Sequence, residues 1–260
     1  MAQTAIRIET LRAPTRSEWA GLALSVDNHL LETLTGLSDD DWDKPTECEP
    51  WAVRDLVAHL VGWDEAIVSP RELARQTVHG YRTRKAHGGN PLDAQNQFQV
   101  DDHSALSPIE LLEQLRILTP KFHRARQRFA SIGRAIPYKQ NFSGTWVTLH
   151  YAMTTIIARD HFMHHIDIHT AIGRAFQPNQ AEVRITHDAV REWAEQTEAD
   201  ATIELSGPAG GTFVRRSGTT TITADAIGFC RLISGRRYDE VRITGDEAAA
   251  QRWLAHNAVF

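Results

Sequence analysis

A helical domain followed by a small α+β domain is the fold class that this 260-residue sequence predicts, and three features carry the prediction. Four stretches between residues 17 and 173 repeat apolar side chains every three or four positions, the period of an amphipathic helix. Beyond about residue 200 the period shortens to two, and glycine turns separate the short runs. Each helical stretch has one apolar side, which suits an antiparallel four-helix bundle over residues 1–178, with the α+β domain over 179–260.

Residues 1–14 read as a loose lead-in ending at Pro14. Ser17 caps a first helix that runs to Gly36, with Trp19, Leu22, Val26, Leu30 and Leu34 on its apolar side. The acidic run SDDDW follows, with Ser38 and Asp41 spaced to start a short helical turn. Pro45 and Pro50 fix an extended approach to a second helix, which begins near Ala52 and buries Leu56, Leu60, Trp63, Ala66 and Ile67. His59 lies at the edge of that face. Asp55, four residues earlier, has two open roles: acceptor of a His59 ring N–H, or a charge in the first helical turn. Residues 80–106 are polar, contain glycine and show no periodicity, so a long connection is expected. Arg82, Arg84 and Lys85 in it are either solvated or the wall of an anion site.

Ser107 and Glu110 form a capping box with Pro108 at the first helical position, and a third helix follows to Ile132. Leu111, Leu112, Leu115, Leu118, Phe122 and Phe129 are its buried side, and Pro120 marks a kink. Residues 145–173 are mostly apolar and free of proline, which predicts one buried helix of about seven to eight turns. At about 100° per residue, Trp146, Leu149, Met153, Ile156, Ile157 and Ala171 share a face with Asp160, His164 and Asp167. Two carboxylates and an imidazole on an apolar stripe need partners. Either they form a hydrogen-bonded core pair, or they converge on a divalent metal ion with His59 from the second helix. His161, His165 and His169 lie elsewhere around this helix and read as packing residues, with His165 a candidate contact to the site.

The last third predicts a helix over 181–198, strands at ATIEL, TFVRR and TTTITA, a helix at DAIGFCRLISG, a strand at EVRIT and a terminal helix from GDEAAA. The net charge of -5 and the lack of a basic cluster interleaved with aromatics argue against nucleic-acid binding. Cys48 and Cys230 are too few for a disulfide framework, which suits a reducing cytoplasm. Cys48, in its proline-rich turn, reads as a small packed residue rather than a nucleophile. No run of about 18 apolar residues and no secretory leader is present in this sequence.

Two motifs carry a resemblance. PTECEPWAVRDLVAHLVGW and RDHFMHHIDIHTAIG resemble the paired motifs of the mycothiol-dependent maleylpyruvate isomerase family, whose N-terminal domain is DinB-like. GPAGGTF, GFCRLISGRR and ITGD are similar to its C-terminal domain, which is of the sterol-carrier-protein type. The resemblance implies a divalent metal, usually zinc, held by His59, Asp160 and His164, and roles in activity for Asp167 and Arg236. Asp160 stands where the isomerase has Glu, one methylene longer. Ala52 stands where Ser or Thr usually caps the helix, a local cost of about 1 kcal/mol.

The expected chemistry is a metal-held thiolate of mycothiol, or a similar small thiol, attacking an electrophilic carbon. The thiol then departs after bond rotation, as in a cis-trans isomerase, or stays attached, as in an S-transferase. Asp167 either orients a bound group or acts as base, and Arg236 holds a substrate carboxylate. Two alternatives stand beside it: a non-catalytic small-molecule binding protein with a structural or absent metal, and a metal-dependent hydrolase that needs no thiol. The partner is a small-molecule electrophile, and the chain is expected as a monomer or homodimer.

Overall fold

A computed structural model describes residues 5–139, 146–258 and 260. The chain forms two compact units, Ala23–Ala175 and the segment ending at Leu22 together with Phe176–Phe260. The division falls inside the first helix. Among the described residues no helix is long and apolar enough to cross a membrane.

The helical unit holds most of helix α1 (Arg16–Thr35), the short α2 (Asp39–Trp42), α3 (Val53–Val68), α4 (Pro70–Thr83), α5 (Pro91–His103) and α6 (Pro108–Ile132). A hairpin of β2 (Pro137–Lys139) and β3 (Trp146–Thr148) follows. Then come α7 (Leu149–Tyr151), a π-helical turn (Ala152–Ile156) and α8 (Ile157–Ala171). Thr15, not the expected Ser17, caps α1: its Oγ1 accepts from the Glu18 amide at 3.3 Å, and Ser17 lies inside the helix; the box read at residues 107–110 forms as expected. Ser107 Oγ accepts from the Glu110 amide, and the Glu110 carboxylate accepts from the Ser107 amide. At α3 the non-polar Ala52 offers no side-chain cap, yet Asp55 Oδ2 accepts from the Ala52 amide at 2.9 Å, so half of the box survives.

Helix α3 is the hub. It buries Val53, Leu56, Val57, Leu60 and Val61 around most of its circumference, because α4, α5, α6 and α8 all pack against it. Leu30 and Leu34 of α1, Leu111 and Leu115 of α6 and Ile168 of α8 complete that core.

Two expectations for this unit are corrected. Residues 80–106 are not a long connection: α4 runs to Thr83, and α5 starts at Pro91, where Asn90 Oδ1 caps the Leu92 amide at 3.0 Å. The side of α5 turned inward carries Gln95, Gln99 and His103 beside Ala94 and Val100. Glutamines occupy core positions there, so no apolar period exists to be read. Second, residues 145–173 are not one helix. Residue 145 lies outside the described residues, and Trp146–Thr148 pairs with β2, leaving Trp146 64% exposed. Thr148 Oγ1 then caps the Tyr151 amide at 3.1 Å and starts the helix at Leu149. The π turn shifts the angular register of Leu149 relative to Asp160, so the face expected across residues 146–171 is not continuous.

The second unit is α+β. Its sheet has the order β1-β5-β4-β6-β7, from β1 (Ile6–Arg7), β4 (Ala201–Ser206), β5 (Gly211–Val214), β6 (Thr220–Asp225) and β7 (Arg242–Thr244). Helices α9 (Gln180–Gln196), α10 (Ala226–Ile233) and α11 (Glu247–Leu254) accompany it. Every strand and helix read from residue 181 onward is present. The lead-in is corrected: Ile6 and Arg7 pair in parallel with Phe213 and Val214 as an edge strand. Trp193 and Phe229 meet edge-on, with ring centroids 5.1 Å apart, in a core shared with Ile203, Phe213 and Ile222.

Candidate metal centre

His59 projects from the middle of α3, and Asp160 and His164 project from α8, four residues apart and therefore on one side of the helix. Ligand-capable atoms of these three residues all lie within 4.8 Å of one another. His164 Nε2 stands 3.5 Å from Asp160 Oδ1. Two ligands about 2.0–2.1 Å from a tetrahedral ion are separated by roughly 3.3 Å, so this pair is close to coordinating separation already. The His59 and His164 rings are nearly perpendicular, with centroids 5.4 Å apart. Both histidines are buried, while the Asp160 side chain keeps 37% exposure.

The surroundings push the two imidazoles in opposite directions. Burial pushes the His59 imidazole down to about 3, and the neighbouring His164 adds to the shift, so its ring is neutral and offers a lone pair. Burial also opposes charge on His164, but the Asp160 carboxylate and the hydrogen bond to Asp167 outweigh it and raise its proton affinity well above the usual value. Two imidazole nitrogens and one carboxylate oxygen form a donor set suited to zinc.

Around this set sit groups of three kinds. Asp167, fully buried, accepts from His164 Nδ1 at 3.1 Å and from Cys48 Sγ at 3.5 Å through the same Oδ2. Cys48, His164 and Asp167 therefore form a second group whose candidate ligand atoms lie within 4.8 Å. A neutral imidazole has one lone pair, so His164 serves one group at a time. Its Nδ1–H bond to Asp167 leaves Nε2 for Asp160 and His59. Gln99 Oε1 lies 2.9 Å from His59 Nδ1. Trp51 leans over the His59 ring at a centroid distance of 4.9 Å, and its indole N–H donates to Gln97 Oε1 at 3.1 Å.

Several expectations resolve on this geometry. Of the two roles open to Asp55, the helix-start role is the one its side chain fills, and the His59 partner is Gln99. Arg82, Arg84 and Lys85 are exposed. His165 bonds Thr33 Oγ1 at 2.8 Å and His161 bonds Asp27 Oδ1 at 2.8 Å, so neither turns toward His59. Arg236 belongs to the α+β unit, just after α10, where its guanidinium donates to Ser234 Oγ at 3.1 Å. Sequence reasoning missed Trp51, Gln97 and Gln99, and it read Cys48 as a small packed residue without foreseeing its contact with Asp167. The one available signal was the glutamine-rich run 95–99.

A family model described as the mycothiol maleylpyruvate isomerase N-terminal domain matches residues 24–169. No curated protein matches the sequence significantly. Two solved structures are similar in fold: the mycothiol-dependent maleylpyruvate isomerase, with a TM-score of 0.56, and a mutant of it with one histidine replaced by alanine, with a TM-score of 0.55. Each is 15% identical over 93% of this chain and 95% of its own.

Proposed function

Because this chain belongs to the mycothiol maleylpyruvate isomerase N-terminal domain family, we propose that it is a metal-dependent enzyme in which a small thiol of the mycothiol type attacks an electrophilic small molecule. Cis-trans isomerisation of a maleylpyruvate-like acid is the leading reaction, with S-transfer as the variant in which the thiol stays attached. The observation that carries this reading is the convergence of His59, Asp160 and His164, whose ligand-capable atoms lie within 4.8 Å of one another. In this reading those three hold a divalent ion, zinc above others, in a DinB-like four-helix arrangement. The sterol-carrier-like character of residues 179–260, a cytoplasmic setting and a monomeric or homodimeric state belong to the same proposal.

When bound, the ion supplies a Lewis acid that keeps a thiol as thiolate near neutral pH. The protein's own groups do the rest. His59 and His164 present imidazole nitrogens from two helices. Asp167, buried and accepting from His164 Nδ1, orients that ring rather than meeting the substrate. Trp51 covers the His59 ring and limits water. A role for Arg236 toward a substrate carboxylate is part of the same proposal, carried by the family resemblance alone. The thiolate sulfur adds to one carbon of the conjugated double bond while the electron pair moves to the carbonyl oxygen. Rotation about the resulting single bond follows, and return of the pair expels the thiolate.

Elemental analysis of the purified protein, with turnover assays on maleylpyruvate with and without mycothiol, tests the reading. About one metal per chain, lost in His59→Ala and His164→Ala, and turnover only with thiol are expected. A metal-free wild-type protein, or equal turnover without thiol, sinks it.

A further inference from the structure

The amide group of Gln99 can face His59 in two ways, and a chain of buried hydrogen bonds fixes which. Its far end is the backbone carbonyl of Gly62, which can only accept. Gln76 Nε2 donates to that carbonyl at 2.9 Å and to Glu72 Oε1 at 3.0 Å. Both partners are acceptors, so the Gln76 amide has one allowed orientation, with Oε1 pointing away from them. Gln76 Oε1 then accepts from Gln99 Nε2 at 2.7 Å. That leaves Gln99 Oε1 facing His59 Nδ1 at 2.9 Å. An oxygen there needs a donor, so Nδ1 carries the proton and Nε2 the lone pair. His59, Gln76 and Gln99 are all at most 3% exposed, so water does not compete for these bonds.

We propose that Gln99, locked by Gln76, is a positioning residue that sets the tautomer and ring orientation of His59, so that Nε2 is the coordinating nitrogen. Its role toward a metal rests on the function proposed above; its role in setting the tautomer does not. Helices α4 and α5 thereby act on a ligand of α3 without touching the ion. The arrangement mirrors the one across the site, where Asp167 accepts from His164 Nδ1. One ligand imidazole is held by a carboxylate and the other by an amide, which keeps added negative charge away from the His59 side.

The test is long-range nitrogen–proton NMR of the metal-free full chain labelled at histidine, with His59 assigned by loss of its signals in His59→Gln. Wild type and Gln99→Glu, which keeps an acceptor at this position, are expected to show the Nδ1–H tautomer. Gln99→Leu and Gln76→Leu are expected to shift His59 toward the Nε2–H form, although Gln76 does not contact His59. Zinc affinity, read by chelator competition, is expected to fall about 10- to 100-fold in the two leucine variants. An Nε2–H tautomer in the wild type overturns the proposal, and so does a Gln76→Leu variant with unchanged His59 signals. Wild type is decisive even if a variant fails to fold. A wild type that has the expected tautomer and binds no zinc refutes the metal reading and leaves the tautomer assignment standing.

Discussion

Asp167 and Asp64 are both fully buried carboxylates of the helical unit, and their surroundings give them opposite tasks. Asp167 has two donors on one oxygen, His164 Nδ1 and Cys48 Sγ, so that oxygen acts as an acceptor that orients a ring. Asp167→Asn keeps the volume but turns an obligate acceptor into a group with a donor face. Zinc affinity is expected to fall about 10- to 100-fold by chelator competition; an unchanged affinity excludes the orienting role. Asp64 has no hydrogen-bond partner on Oδ1, and the His161 ring nitrogen is 3.9 Å away. Burial pushes its carboxyl up to about 8, and His161 offsets only part of that. The sign follows from proton counts. Between about pH 4 and pH 8 the folded chain keeps this proton and the unfolded chain has lost it, so stability falls as pH rises, by up to about 1.4 kcal/mol per pH unit from this group. Asp64→Asn removes that slope. Melting curves of the two proteins from pH 5 to pH 8 should therefore diverge as pH rises, and parallel curves contradict the assignment.

At the scale of elements, the contact between α3 and α5 decides whether the site is assembled. Gly62 lies where the two helices touch: a Cβ built there meets Gln99 Cβ and Cγ at 2.6 Å. On helix propensity alone, Gly62→Ala gains about 1 kcal/mol. The clash forces Gln99, and with it α5, away from α3, and overpacking of this kind costs about 1–3 kcal/mol. Denaturant titration should find the variant no more stable than wild type. The His59–Gln99 bond should also be disturbed, since the displaced residue is the one that holds the ring. A clear stabilisation with the His59 environment unchanged shows that α5 yields freely and is not a rigid support. The π turn before α8 belongs to this scale too. It sits one turn upstream of Asp160 and separates the register of that residue from the helix start at Leu149.

For the whole molecule, a ligand that binds only the folded state raises the melting temperature by mass action. Zinc at 100 times its dissociation constant adds about 2.7 kcal/mol, so calorimetry of zinc-loaded and chelated protein should show a higher transition for the loaded form. In His59→Ala the difference should vanish, whereas a shift retained in that variant places the zinc elsewhere. The sequence by itself determined the helices of residues 53–68 and 108–132, every element beyond residue 180 and the motif pair containing His59, Asp160 and His164. Those features are local: a capping box, a period of apolar residues, a glycine turn. Tertiary structure alone decided the rest. Helix α5 presents glutamines to the core, and their hydrogen bonds to α3 and α4 take the place of apolar burial, so no periodicity announces it. Trp146–Thr148 is a strand because β2 offers a partner, and Ile6–Arg7 is a strand because β5, more than 200 residues away, does the same. Residues as distant in sequence as Cys48 and Asp167 share a hydrogen bond because packing, and not spacing along the chain, sets which polar groups must satisfy one another once water is excluded.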